Sequence, residues 1–109
     1  MTNKKTLACL ALTLGVSLTA GVAPVAAQEL VVKIGHVAPL TGNIAHLGKD
    51  NENGVRLALE EYQAKGLSIG GKKIKFELVA EDDQADPKTG NIVAQRLVDA
   101  GVKGVVGHL

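Results

Sequence analysis

From residue 30 onward, strand-like and helix-like runs alternate, joined by connections of only a few residues. "LVVKIGHVAPL" (30–40) is β-branched and apolar at consecutive positions. A strand reads this way when both of its faces are buried in a parallel sheet. Pro39 and Gly42 end it. "TGNIAHLGKDNENGVRLALEEYQAKG" (41–66) passes from loop into helix. Val55, Ala58, Leu59 and Tyr62 form one apolar stripe at helical spacing, and Lys65 followed by Gly66 closes it. That helix can start as early as Ala45 if Gly48 and Gly54 each face a close neighbour. Gly70-Gly71 makes a turn. Ile74, Phe76 and Leu78 then alternate with Lys73, Lys75 and Glu77, a strand with one wetter face at a sheet edge. "DPKTGNIVAQRLVDAG" (86–101) has Asp86 as helix N-cap and Pro87 at the first helical position. Val93, Leu97 and Ala100, with Ala94 and Val98, give its apolar face, and Gly101 stops it. "VKGVVGHL" (102–109) opens a third buried strand.

This order is β-α-β-α-β, an α/β class. Crossovers of this kind are right-handed and produce a parallel sheet, with the first strand central and the order 2-1-3. The strand ends then share one rim: Thr41-Gly42, Glu81 to Asp83, and His108-Leu109. A ligand is expected where the strand order reverses, between the first and third strands.

The start of the chain does not belong to this pattern. Lys4 and Lys5 precede an apolar run from Leu7 to Leu18, and small residues follow at Val25-Ala26-Ala27. That is the layout of a secretory signal peptide cleaved after Ala27. The run is short for a membrane anchor, and Gly15, Gly21 and Pro24 interrupt it. Cleavage leaves residues 28–109 and removes Cys9, the single cysteine. Disulfides, thiol nucleophiles and thiolate metal sites are thereby excluded from the mature chain. Removing Lys4 and Lys5 from twelve basic residues, against eleven acidic, gives a net charge of about −1. With one Tyr, one Phe and no Trp, the chain lacks the basic footprint and stacking platform of a nucleic-acid binder.

"EDDQADP" (81–87) puts four carboxylates into seven positions. Asp82-x-Gln84-x-Asp86 imitates the opening of a calcium loop. Pro87 and Val93 stand where such a loop needs glycine and glutamate. The stretch reads instead as the polar end of a strand followed by a helix cap, with acids at the helix's positive end. "GLSIGGKK" (66–73) nearly matches a phosphate loop, but it runs from helix into strand rather than the reverse, and Lys73 replaces the Ser or Thr. Gly101, Gly104 and Gly107 miss the dinucleotide spacing. His36, His46 and His108 have no metal-ligand spacing and read as surface or core-edge residues, the last two near the rim. Thr41 and Ser68 lack a nucleophile-elbow context. No catalytic residue, metal site or cofactor is assigned.

Taken in order, "IGHVAPLTGNIAHLGKDNENGVRLALEEYQAKG" and "GGKKIKFELVAEDDQADPKTGNIVAQRLVDAGVKGVVGHL" resemble the N-terminal part of periplasmic branched-chain amino acid binding proteins. The resemblance covers residues 30–109. Its most telling pieces are "APLTG", "EDDQADP" before a helix, and the closing "GVVGHL". It implies the type I periplasmic-binding-protein fold, two α/β lobes hinged around one small ligand. It also implies the role of substrate-binding component of an ABC importer, working with an inner-membrane permease and performing no catalysis. The expected organisation is a signal peptide at 1–27 and an incomplete N-terminal lobe at 28–109, a fragment of a longer protein. In that family the ligand's amino and carboxylate groups are held largely in the loop directly after "GHL" and by an acidic residue of the second lobe. What carries over is the loop after the first strand, with Thr41 and Gly42, together with Leu109. Where the family often places an aromatic against the ligand side chain, this sequence has Leu47, apolar but not aromatic. Some members pair a cysteine of the acidic loop with one after "GHL"; here the first of those positions is Ala85. Other readings stay open: a binding protein for an amide, urea or aromatic acid, a small secreted flavodoxin-like enzyme using Asp82 or Asp83, or a sensor domain.

Overall fold

A computed structural model of the chain describes Gly21 and residues 28–109. The expected leader, with its cleavage point at Ala27, otherwise lies outside the described residues. The elements run β1 (Glu29–Ala38), α1 (Ala45–Ala64), β2 (Ser68–Ile69), β3 (Lys72–Asp82), α2 (Pro87–Asp99) and β4 (Gly104–Val106).

The sheet order is β2-β3-β1-β4. The three long-range strands therefore stand in the expected order around a central β1. β1 pairs in parallel with β3 from Glu29↔Lys73 to Ala38↔Asp82, and with β4 from Ile34↔Gly104 to His36↔Val106. The short β2 is an addition that the sequence pattern left inside a loop. It pairs antiparallel with the start of β3, across Gly70 and Gly71 at φ 57° and 77°. Two consecutive positive φ values suit a tight hairpin whose twist matches its strands, and glycine takes them without steric cost.

The helices cover opposite faces. A Cβ added at Gly35 would meet Leu97 of α2, whereas one added at Gly48 of α1 would meet Ala38, three positions on along β1 and so on the other face. The core on the α2 face is Val37, Val93 and Leu97, with Val79 and Val102 packed against it. Asp86 caps α2 as expected: its side chain accepts from the Thr89 amide at 2.8 Å, and Pro87 takes the first helical position. α1 does begin at Ala45, but Ile44 before it offers no side-chain cap.

Several expectations about burial need correction, and they share a cause. β4 is exposed along its length rather than a buried strand. Among the described residues nothing lies beyond it, so the flanks of both helices on that side are uncovered. Val98 is 69% exposed and Ala94 is exposed beside it, both on an open cavity that Val37, Leu97 and Val105 also line. On the other face Val55, Leu59 and Tyr62 border an open apolar groove of about 700 Å³ with Ile34, Phe76 and Val106. Of the two α1 glycines, Gly48 meets a close neighbour as expected, but Gly54 faces open space. No helix among the described residues is long and apolar enough to cross a membrane.

Candidate functional site

The register brings the C-terminal ends of β1, β3 and β4 to one level, because Ala38 pairs with Asp82 and His36 pairs with Val106. The residues just past those ends form the rim. Thr41 and Gly42 are exposed there, Gly42 at φ 84°. Leu47, in the first turn of α1, is 49% exposed, and Leu109, beyond β4, is also exposed. The structure thus places Thr41, Gly42, Leu47 and Leu109 all on loops or helix starts that follow strand ends. It shows no ligand contact for any of them.

The acidic loop assembles this rim. Asp82, the last residue of β3, accepts three hydrogen bonds through its two oxygens. The Leu40 amide donates to Oδ1 at 2.8 Å and the Gln84 amide at 2.9 Å. The Thr41 hydroxyl donates to Oδ2 at 2.6 Å. Partial burial works to raise the pKa of Asp82, but the donors Thr41, Leu40 and Gln84 together outweigh it and hold the carboxyl below its usual 3.8. Asp83, buried, turns the other way. Its Oδ1 accepts from the Ala85 amide at 3.0 Å and its Oδ2 from His108 Nδ1 at 3.1 Å. Asp86 then caps α2. Here the Thr89 amide and hydroxyl outweigh a small desolvation penalty and lower the carboxyl below 3.8. Glu81 reaches Arg96 of α2 at 3.4 Å.

Each carboxylate in "EDDQADP" therefore has a different partner: the loop after β1, the segment after β4, the start of α2, and the side of α2. The chain needs this bracing, because Gln84 and Ala85 both sit at φ 56°. Left-handed backbone is costly for residues with a Cβ. The Asp82 and Asp83 oxygens each accept from the amide two residues on, which stabilises the turn. Among the described residues no group of three or more His, Cys, Asp or Glu is arranged to hold a metal ion.

The histidines divide. His46 is exposed and His108 half-exposed on its bond to Asp83. His36 departs from the surface or core-edge reading, for it is fully buried. Its Nδ1 donates to the Val106 carbonyl at 3.0 Å, joining β1 to β4, and its Nε2 has no partner among the described residues. The signal was present: a polar residue in the apolar second half of a parallel strand shares the burial of its neighbours. The contribution of Asp82 was harder to anticipate, since it bonds residues 41 and 42 positions away.

Comparison with known proteins gives the rim its context. The family model described as "Periplasmic binding protein" matches residues 31–109. The Leu/Ile/Val-binding protein homolog 2 of Brucella abortus is 43% identical over 105 residues, covering 96% of this chain and 26% of that protein. The chain thus spans about a quarter of the length of this relative. Among solved structures, the branched-chain amino acid transporter substrate-binding protein LivJ of Streptococcus pneumoniae, in complex with isoleucine, superposes with a TM-score of 0.62 at 32% identity, over 72% of this chain and 22% of that one. A solute-binding protein of an ABC transporter from Rhodopseudomonas palustris, in complex with 3,4-dihydroxybenzoic acid, gives 0.54 at 33% identity, over 69% and 20%. The α/β topology and a match that runs from near the start of β1 to Leu109 agree: the chain belongs to the periplasmic binding protein family.

Proposed function

We propose that this chain supplies the opening part of one lobe of an extracytoplasmic solute-binding protein that captures branched-chain amino acids for an ABC importer. The carrying observation is the 43% identity to a Leu/Ile/Val-binding protein homolog along 96% of the chain. On this reading residues 1–27 export the protein to the periplasm. Thr41, Gly42, Leu47 and Leu109 face the ligand from the first lobe, Leu47 giving an apolar wall for a branched side chain. The second lobe completes the site, so ligand shifts an open-closed equilibrium toward the closed form that an inner-membrane permease accepts. Only the closed form makes both sets of contacts, which is what gives the ligand its differential affinity. The role is binding, with no catalysis; the relatives named above are binding proteins.

The test is mass spectrometry of the native protein recovered from the periplasm, followed by calorimetry of that protein with leucine, isoleucine and valine. A mature N-terminus at Gln28 and saturable one-site heat support the reading. A protein retained in the cytoplasm, or one silent to all three amino acids, refutes it. A second reading has its own observation, the aromatic acid in the R. palustris relative. Heat with 3,4-dihydroxybenzoate and none with leucine would favour it.

A further inference from the structure

We propose that Asp82 is a positioning residue for ligand capture: its carboxylate fixes the Leu40–Gly42 turn and, through it, the place of Leu47 on the rim. The inference rests on the binding reading above and deepens it.

Three features carry it. First, among the described residues the hydrogen bonds that tie residues 40–44 to another strand all end on Asp82. The remaining backbone bonds of this turn are local, Ala45 to Gly42 and Leu47 to Ile44. Second, Ile44 does not cap α1 with its side chain, so the first turn of that helix is held by the loop that enters it and by the close approach of Gly48 to Pro39. Leu47 lies in that first turn. Third, the Asp82 bonds are of the strong kind. An ionised carboxylate accepts from two amides and a hydroxyl, at 2.6 to 2.9 Å. Asp82 also sits opposite Ala38 in the register, so the bonds reach straight across from one strand end to the next. The side chain points at the β1 loop and leaves the ligand-facing surface to Thr41, Gly42 and Leu47. Asp82 therefore acts through its neighbours and makes no ligand contact of its own.

A residue that only stabilised the fold would lower the melting temperature and leave the affinity of folded protein unchanged. A positioning residue changes affinity in protein that is fully folded. The experiment uses the protein with all the chain its gene encodes and compares wild type with Asp82→Ala, Asp82→Asn, Thr41→Val and the Asp82→Ala/Thr41→Val pair. Leucine and isoleucine affinities are measured by calorimetry at 25 °C, with circular dichroism confirming the folded state. Amide exchange is followed at Leu40. Asp82→Ala is expected to weaken binding roughly tenfold, the scale of losing hydrogen bonds to a charged group. Asp82→Asn keeps an oxygen for the Leu40 and Gln84 amides, so it is expected to lose only roughly threefold, as is Thr41→Val. Thr41 also faces the ligand on the binding reading, so adding Thr41→Val to Asp82→Ala is expected to cost less than Thr41→Val costs alone, by the interaction that the two share. Leu40 should exchange faster in Asp82→Ala.

Folded Asp82→Ala that binds within twofold of wild type, or that keeps wild-type exchange at Leu40, overturns the inference and leaves the binding reading intact. If Asp82→Ala does not fold, Asp82→Asn decides: affinity unchanged from wild type overturns it. A wild-type protein that binds none of the amino acids overturns the binding reading, and this inference falls with it.

Discussion

The same substitution, glycine to alanine, should act in opposite directions at two positions of α1. In an exposed helix interior alanine is favoured over glycine by about 1 kcal/mol, because glycine loses more backbone entropy on folding. Gly54 meets nothing within 4 Å of an added Cβ, so Gly54→Ala should gain most of that amount. At Gly48 the added Cβ would lie 2.6 Å from the Pro39 carbonyl carbon, closer still to its oxygen, and 3.3 Å from the Ala38 Cβ. Ordinary contact needs about 3.5 Å or more, so α1 must move off β1 by about 1 Å. The obstacle is backbone, which cannot rotate aside as a side-chain tip would. Overpacking costs about 1–3 kcal/mol, and a backbone obstacle belongs at the upper end. Offset by the propensity gain, Gly48→Ala should lose about 2 kcal/mol. Urea titration followed by circular dichroism, with m compared across variants, measures both changes. If Gly48→Ala is as stable as wild type, or if both variants move in the same direction, the close packing of α1 on the end of β1 is wrong.

Leu97→Ala should cost about 3 kcal/mol in the same titration, since Leu97 is 1% exposed and fills the core between Val37 and Val93; a loss below about 1 kcal/mol would mean that α2 is not seated on β1. Asp86→Ala should lower the melting midpoint by a few degrees through loss of the α2 cap, equally with and without calcium, whereas calcium-dependent stabilisation abolished by the substitution would restore a metal role for the acidic loop. Stability should also fall in acid. Glu52 is lowered from its ordinary 4.5 chiefly by Arg56, against a desolvation penalty and with help from Lys49, and Asp82 and Asp86 are lowered from 3.8. For such groups the folded state binds fewer protons than the unfolded one. Their contribution is present above the ordinary values, 4.5 for Glu52 and 3.8 for the two aspartates, and is lost as pH falls through the depressed folded ones. A midpoint that stays level from pH 5 down to pH 2.5 would contradict the hydrogen bonds that Asp82 and Asp86 accept and the pairing of Glu52 with Arg56 at 2.6 Å.

What the sequence made legible follows from range. Asp86, Pro87 and Gly101 bound α2 through contacts within a few residues, and the structure keeps them as the sequence suggests. The central position of β1 was legible because crossover handedness leaves few ways to join three parallel strands. Burial was less legible wherever it depends on what covers an element. Val98 fits a helical stripe yet is exposed, because stripe membership states which face a residue occupies and not whether anything lies over it. Gly54 shows the same limit, since a glycine in a helix can mark a close approach or simply a site no neighbour reaches. His36 errs the other way: its ring chemistry suggested the surface, but its place in a buried strand decided the outcome.

The acidic stretch shows how one run of like charges can be spread over separate partners. Four carboxylates in seven residues would repel one another if they shared a site. Here the strand-to-helix turn sends them apart: Asp82 toward the loop after β1, Asp83 toward His108, Asp86 onto α2, and Glu81 toward Arg96. The two left-handed residues, Gln84 and Ala85, make the divergence possible, because they reverse the chain between Asp83 and Asp86. Two of the four carboxylates reach the rim segments that follow β1 and β4, the strands flanking the point where the order reverses. On the proposed reading the acidic loop sets the geometry of the rim through these bonds, and substitutions in it are expected to alter affinity before they alter specificity.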